Sequence, residues 1–114
     1  MADDCIFCKI RDGDIPSEIL HRDDHCFAIR DIGPAAPTHL LVIPVEHFTF
    51  LRDMTPEFHP TLGAMFAAAR DLAAAEGIDE SGHRLVINQG NHAGQAVDHL
   101  HLHVLGGRPM GPVA

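Results

Sequence analysis

Three histidines, His99, His101 and His103, alternate with Leu100, Leu102 and Val104 near the end of a chain of 114 residues. Side chains two apart on an extended backbone point to the same face. The pattern therefore puts three imidazoles on one face and three aliphatic side chains on the other. Three readings compete. One is a half-exposed strand that happens to carry histidines. A second is a metal site, because neutral imidazole is the commonest metal ligand and two rings in this alternation can hold zinc with further ligands from elsewhere. The third is phosphoryl transfer. Imidazole, with an unperturbed pKa near ~6.5, is largely neutral and nucleophilic at neutral pH, and a neighbouring protonated ring can stabilise charge developing on phosphate oxygens.

Cys5 and Cys8 form a second chemical group, a Cys-x-x-Cys pair. Alone it is compatible with zinc, with redox chemistry or with neither. The thioredoxin-like reading needs the pair between a strand and a helix of a βαβ pattern, which is absent. Cys26 lies in an apolar stretch and reads as an inert buried thiol. Three cysteines cannot all pair within one chain, and reducing conditions would keep them as thiols.

The elements that must position these groups follow from pattern. Cys5 to Lys9 reads as a short helical turn or loop. Residues 17–21 and 26–30 read as short strands, with Asp23 and Asp24 supplying turn chemistry between them. The apolar run from Leu40 to Val45 reads as a buried strand ended near Pro44. Phe58, Leu62, Met65, Phe66, Ala69, Leu72 and Ala73 recur at three- and four-residue spacing, which predicts a helix from about Pro60 to Glu76. Thr55 before Pro56 suits a cap and a loose first turn. Gly77 followed by Ile78 suits a C-terminal cap with an apolar closing contact. Residues 84–88 and 98–105 read as strands, joined by a polar, glycine-bearing loop from Asn88 to Gly94. Strands joined by short turns plus one substantial helix make an α+β domain with an antiparallel sheet.

Composition narrows the function classes. Hydrophobic residues are 46% and charged residues 21%, enough apolar content for a core and no sign of disorder. The net charge of −8, from 8 basic and 16 acidic residues, opposes non-specific binding to nucleic acid. A small anion remains compatible, since local donors can outweigh a screened global charge. No run is long enough to span a membrane and no signal peptide opens the sequence. The expectation is one cytoplasmic domain over residues 1–114 with no membrane or nucleic-acid partner.

The stretch from His99 to Arg108, His-Leu-His-Leu-His-Val-Leu-Gly-Gly-Arg, resembles the motif of the histidine-triad (HIT) family. Its Leu-Gly-Gly-Arg ending resembles the nucleotide-binding branch. The resemblance extends over nearly the whole chain: Cys-Ile-Phe-Cys-Lys-Ile at 5–10, Asp-Ile-Gly-Pro-Ala-Ala-Pro-Thr-His at 31–39, Leu-Val-Ile-Pro at 41–44 and Val-Ile-Asn-Gln-Gly at 86–90. It implies a HIT-like fold: about five antiparallel strands, one main helix, a short N-terminal helix, and a two-fold homodimer that joins two sheets. The apolar face of the main helix is a candidate for that interface.

The resemblance also implies roles. His101 would be the nucleophile that attacks the α-phosphorus of a purine nucleoside monophosphate amide or ester, forming a nucleotidyl-histidine that water then hydrolyses. The backbone carbonyl of His99 would fix its tautomer, His103 would contact phosphate and bridging oxygens, and His39 matches the additional family histidine. Asp31 would accept hydrogen bonds from the ribose hydroxyls. Ile6, Phe7, Ile10, Ile29 and Ile32 would surround the base. Asn88 with Gly94, Gln95, Ala96 and Val97 would hold the phosphate. Cys5, Cys8, His47 and His99 match a structural zinc site of some members, and no catalytic cofactor is implied. Many relatives carry serine or threonine where this chain has Ala96, and some have a tryptophan-bearing tail that it lacks. Both departures bear on rate and leaving group.

The function implied is hydrolysis of nucleoside 5′-phosphoramidates. The alternatives are a dinucleoside polyphosphate hydrolase and a nucleotide-binding module with incidental hydrolysis. The related nucleotidyltransferases carry glutamine at the third triad position, where this chain has His103. His21, His25, His59, His83 and His92 match no role.

Overall fold

The structure is a computed structural model that describes residues 4–114. Five antiparallel strands form one sheet: β1 (His21–Arg22), β2 (Cys26–Arg30), β3 (Thr38–Pro44), β4 (His83–Val86) and β5 (Leu102–Gly106), in the order β1-β2-β3-β5-β4. Two helices cover it. α1 is Ile6–Arg11 and α2 is His59–Ala75.

Alternation sorts the side chains into two cores. Cys26, Ala28, Leu40, Val42, Leu100, Leu102 and Val104 pack against the Met65, Ala68, Ala69, Leu72 and Ala73 stripe of α2. The alanines keep the helix close to the sheet. Phe27, Ile29, Leu41 and Ile43 face the other way and pack against Cys5, Phe7 and Cys8. β2 and β3 are apolar on both faces because both faces are covered. The histidines of β3 and β5 fall on the α1 side.

Several boundaries differ from the sequence reading. β1 is two residues long and starts at His21, where residues 17–21 were expected. Its ladder to β2 holds only His21↔Ala28 and Arg22↔Phe27, while Ser17, Glu18 and Ile19 are exposed and have no face to bury. Thr55 makes no side-chain cap; Pro56–Phe58 is a separate 3₁₀ turn and α2 starts at His59, with Pro60 in its first turn, where a missing N–H leaves no bond unmade. Phe66 lies off the buried stripe at 45% exposure. The C-terminal cap is as expected: Gly77 has φ +74°, its N–H donates to Ala74 O, and Ile78 N–H donates to Ala73 O.

β4 spans His83–Val86 and stops short of Asn88. β5 starts at Leu102, so His99 and His101 lie just before the ladder. The reason is the partner. β3 ends at Pro44, which has no N–H to give, and Pro44 O accepts from His99 Nε2 instead. Leu100 N–H donates to Phe48 O, outside the sheet.

Candidate active site

The triad segment keeps its alternation beyond the ladder, because Leu100 is buried in the α2 core while His99 and His101 are buried on the opposite side. Phe7 of α1 meets both rings edge-on, at centroid distances of 5.8 Å to His99 and 5.1 Å to His101. It therefore acts as a wedge that fixes their spacing, and its tie to both rings was not visible in the sequence.

Backbone groups set the protons. His101 Nδ1–H donates to His99 O at 2.7 Å. A neutral ring with its proton on Nδ1 carries a lone pair on Nε2. The arrangement therefore leaves His101 Nε2 as a nucleophilic nitrogen. A second chain runs through His39. Ala35 N–H donates to His39 Nδ1 at 3.0 Å. The His39 proton therefore sits on Nε2, which lies 2.9 Å from His103 Nδ1 and donates to it. His103 in turn must carry its proton on Nε2, an atom that is buried with no hydrogen-bond partner among the described residues. The His103 ring lies 5.0 Å from the His101 ring. A free donor thus stands beside a free nucleophile.

Electrostatics agree with two neutral rings. Burial first, then the neighbouring His101 and His39 rings, push His103 down to about 4, against the opposite pull of Asp31. Burial also lowers His39, again against Asp31. Asp31 Oδ2 lies 3.5 Å from His39 Nε2, and Oδ1 accepts from Gly33 N–H at 2.8 Å. Asp31 therefore closes its own turn and also faces the histidine pair.

A cavity of about 200 Å³ opens beside this group, lined by Ile6, Phe7, Ile10, Ile29, Arg30, Asp31, Ile32, Leu41 and Val97. Its walls are apolar with a carboxylate at the rim. Ile32 is fully exposed there and Ile6 is exposed too, and neither belongs to the two cores. Arg30 and Leu41 are additions to the residues expected from sequence. Asn88, Gly94, Gln95 and Ala96 do not line this cavity. Asn88 sits two residues beyond Val86, the partner of His103. Gly94 closes the 3₁₀ turn Asn91–Ala93 with φ +79°. The Gln95 side chain braces its own loop, accepting from Gly90 N–H and donating to Val97 O. Ala96 lines a neighbouring cavity of about 290 Å³ with Asp4, Cys5, Ile6, His47, Val97 and Asp98.

Cys5, Cys8, His47 and His99 converge so that their ligand atoms lie within 4.8 Å of one another. Cys5 Sγ is 3.2 Å and Cys8 Sγ 3.6 Å from His99 Nδ1, and Cys8 Sγ is 3.3 Å from His47 Nδ1. His99 Nε2–H donates to Pro44 O at 2.9 Å, which turns the Nδ1 lone pair toward both sulfurs. That is the tautomer a metal needs, and the donor set of two sulfurs and two imidazoles fits a tetrahedral ion.

Outside the site, Asp23 knots its turn. Burial would raise its carboxyl, but His21 and the amides of His25 and Cys26 hold it at about 2. Burial, then the Asp23 charge, push the Cys26 thiol up to about 12, so it is inert as expected. No helix among the described residues is long and apolar enough to cross a membrane.

Comparison with known proteins gives one consistent answer. The HIT domain family model matches residues 12–110. The chain is 47% identical over 113 residues to the purine nucleoside phosphoramidase of Escherichia coli K12, covering 99% of this chain and 95% of the relative. It is 49% identical over 110 residues to an uncharacterised HIT-like protein of Synechocystis, covering 96% of each. Among solved structures, the HIT family hydrolase of Clostridium thermocellum superposes with a TM-score of 0.92 at 44% identity, covering 96% of each chain. The HIT family hydrolase of Legionella pneumophila superposes with a TM-score of 0.91 at 45% identity, over 95% of this chain and 96% of that one.

Proposed function

The chain belongs to the HIT domain family, and on that premise we propose that it hydrolyses purine nucleoside 5′-phosphoramidates through a nucleotidyl intermediate on His101. The observation that carries the reading is the pairing of two free ring atoms: His101 Nε2 with a lone pair, and His103 Nε2–H with no partner among the described residues. In the first step His101 Nε2 forms a bond to phosphorus, the phosphorus–nitrogen bond breaks, and the amine leaves with a proton taken from solvent water. In the second, water bonds to phosphorus, the phosphorus–His101 bond breaks, and the water's proton passes back to solvent as the nucleoside monophosphate leaves. His101 Nδ1–H stays on His99 O throughout, which stabilises the positive charge the ring acquires. His103 Nε2–H donates to a phosphate or bridging oxygen.

The base fits the apolar cleft of Ile6, Phe7, Ile10, Ile29 and Ile32, and Asp31 accepts from the ribose hydroxyls. Asn88 and the loop of Gly94, Gln95, Ala96 and Val97 close on the phosphate, with backbone amides as donors. A second reading, a nucleotide-binding module with incidental hydrolysis, is favoured by one observation: Ala96 offers no hydroxyl to the leaving group.

Cys5, Cys8, His47 and His99 would hold zinc. When bound there it supplies a cross-link between α1, the loop after β3 and the catalytic segment. The unpaired edge of β4, together with the exposed apolar side chains Leu85 of β4 and Phe66 of α2, supports a homodimer that joins two sheets. A cytoplasmic protein of a single domain accords with three free thiols and an acidic surface. The test is turnover of adenosine and guanosine 5′-phosphoramidates against dinucleoside polyphosphates, by wild type and by His101→Ala. Phosphoramidate hydrolysis by wild type alone supports the proposal; equal release by both proteins defeats it.

A further inference from the structure

The Leu-Gly-Gly-Arg ending does not line the base cleft, yet its geometry is tightly specified. A Cβ on Gly106 would lie 2.7 Å from Ile78 Cδ1. Gly107 has φ +98°, and a Cβ there would lie 2.9 Å from Pro37 Cβ, on the loop that precedes β3. This close packing delivers Arg108 onto that same loop, where its Nη2 donates to Ala35 O at 2.9 Å while Nη1 donates to Pro109 O. The next link is the Ala35 amide, which donates to His39 Nδ1.

We propose that Arg108 is a positioning residue for the phosphoryl-transfer chemistry: by pinning the Ala35 carbonyl it holds the loop in place, and with it the preceding Pro34–Ala35 amide whose N–H fixes the proton order of His39 and His103, so that His103 presents Nε2–H to the substrate. The chain runs from Arg108 to Ala35, from Ala35 N–H to His39 Nδ1, and from His39 Nε2–H to His103 Nδ1. If the loop shifts so that the Ala35 N–H leaves His39 Nδ1, His39 is free to move its proton to Nδ1. His103 Nδ1 then loses its donor and the ring can present a lone pair where the phosphate needs a proton.

Of the groups facing the pair, Asp31 favours the same order and His101 does not bear on it. Asp31 Oδ2 lies 3.5 Å from His39 Nε2 and accepts weakly at that distance. The His101 ring, 5.0 Å from the His103 ring, gives its only ring proton to His99 O. Arg108 is the cation on the Ala35 side. The same proton order has a second consequence. Asp31, His39 and His103 bring three metal-ligating atoms within 4.8 Å of one another. With its proton on Nε2, His39 has no lone pair to offer there, so the site refuses a divalent cation. The cysteine cluster, where Pro44 O holds the His99 proton on Nε2 and frees Nδ1, is set the opposite way.

The task assigned to His103 rests on the phosphoramidase reading, but the proton order is measurable without turnover. Nitrogen-15 NMR of wild type should show His39 and His103 both as Nε2–H tautomers. Arg108→Ala should mix the His39 tautomers, lower kcat on adenosine 5′-phosphoramidate about tenfold with KM within about threefold, and make turnover sensitive to added zinc. Arg108→Lys, which can still donate to Ala35 O, should restore most of the rate. The proposal is overturned if wild type carries Nδ1–H at either ring. It is equally overturned if Arg108→Ala keeps the tautomers, whether or not kcat falls. A wild type with no phosphoramidase activity would defeat the functional reading, while the NMR result would still decide the proton order.

Discussion

Exchanging His103 for glutamine separates the neutral-donor account from one in which the site holds a protonated histidine. Burial and the neighbouring rings hold His103 at about 4 in the folded chain, whereas an unfolded histidine titrates near ~6.5. As pH falls below the unfolded value, the unfolded chain gains a proton that the folded chain refuses. Stability is therefore full above roughly pH 6.5 and is lost as pH falls toward 4. At pH 5 the folded chain's refusal of that proton costs at most about 2 kcal/mol at 1.36 kcal/mol per pK unit, and solvent screening of a partly buried ring brings it to about 1 kcal/mol. Nearly all of that is absent at pH 7. His103→Gln removes the titrating group, so its stability should fall about 1 kcal/mol less than wild type between pH 7 and pH 5. Urea unfolding of both proteins at the two pH values measures this, with the denaturant slope checked for constancy. An equal loss in both proteins would show that His103 is already protonated in the fold or is solvated there, and the donor argument would fail.

Other outcomes follow from the same geometry. Cys5→Ser should lower bound zinc, read by metal analysis of the purified protein, and reduce thermal stability while leaving some turnover; unchanged zinc content would rule out the ligand set of Cys5, Cys8, His47 and His99. Asp31→Asn keeps an oxygen for the Gly33 amide and so should fold, but should raise KM about tenfold for ribonucleotide substrates, with a smaller penalty for 2′-deoxy substrates. Ala96→Ser should raise kcat several-fold on substrates with poor amine leaving groups, measured across a leaving-group series. A flat response in that series would remove Ala96 from the account of rate.

Legibility in the sequence followed the kind of information each feature needs. The triad strand could be read because period two is visible from residue types alone, and the structure keeps Leu100, Leu102 and Val104 on the α2 side. The main helix could be read from its stripe, and its Gly77–Ile78 ending from a cap that needs positive φ. Phe66 was misplaced because spacing cannot distinguish a core face from a free one. The start of β5 differs from the sequence reading because it depends on where Pro44 stops the partner strand. Most of the site's proton order rests on Ala35 N–H, His99 O and Pro44 O. Backbone groups carry no residue identity, so motif reading found the rings and could not find what orients them. Phe7 was expected as a wall of the base cleft, but its contact with two histidines depends on where α1 docks.

The central claim is that His101 Nε2 attacks phosphorus, and the direct measurement is capture of the intermediate. Wild-type protein quenched within the first turnover of adenosine 5′-phosphoramidate, then digested and mapped by mass spectrometry, should carry an adenylyl group on His101. The group should be stable to base and labile to acid, and should disappear at the rate of the second step. Steady turnover with no adduct at any quench time, or with the adduct on another residue, would contradict the account.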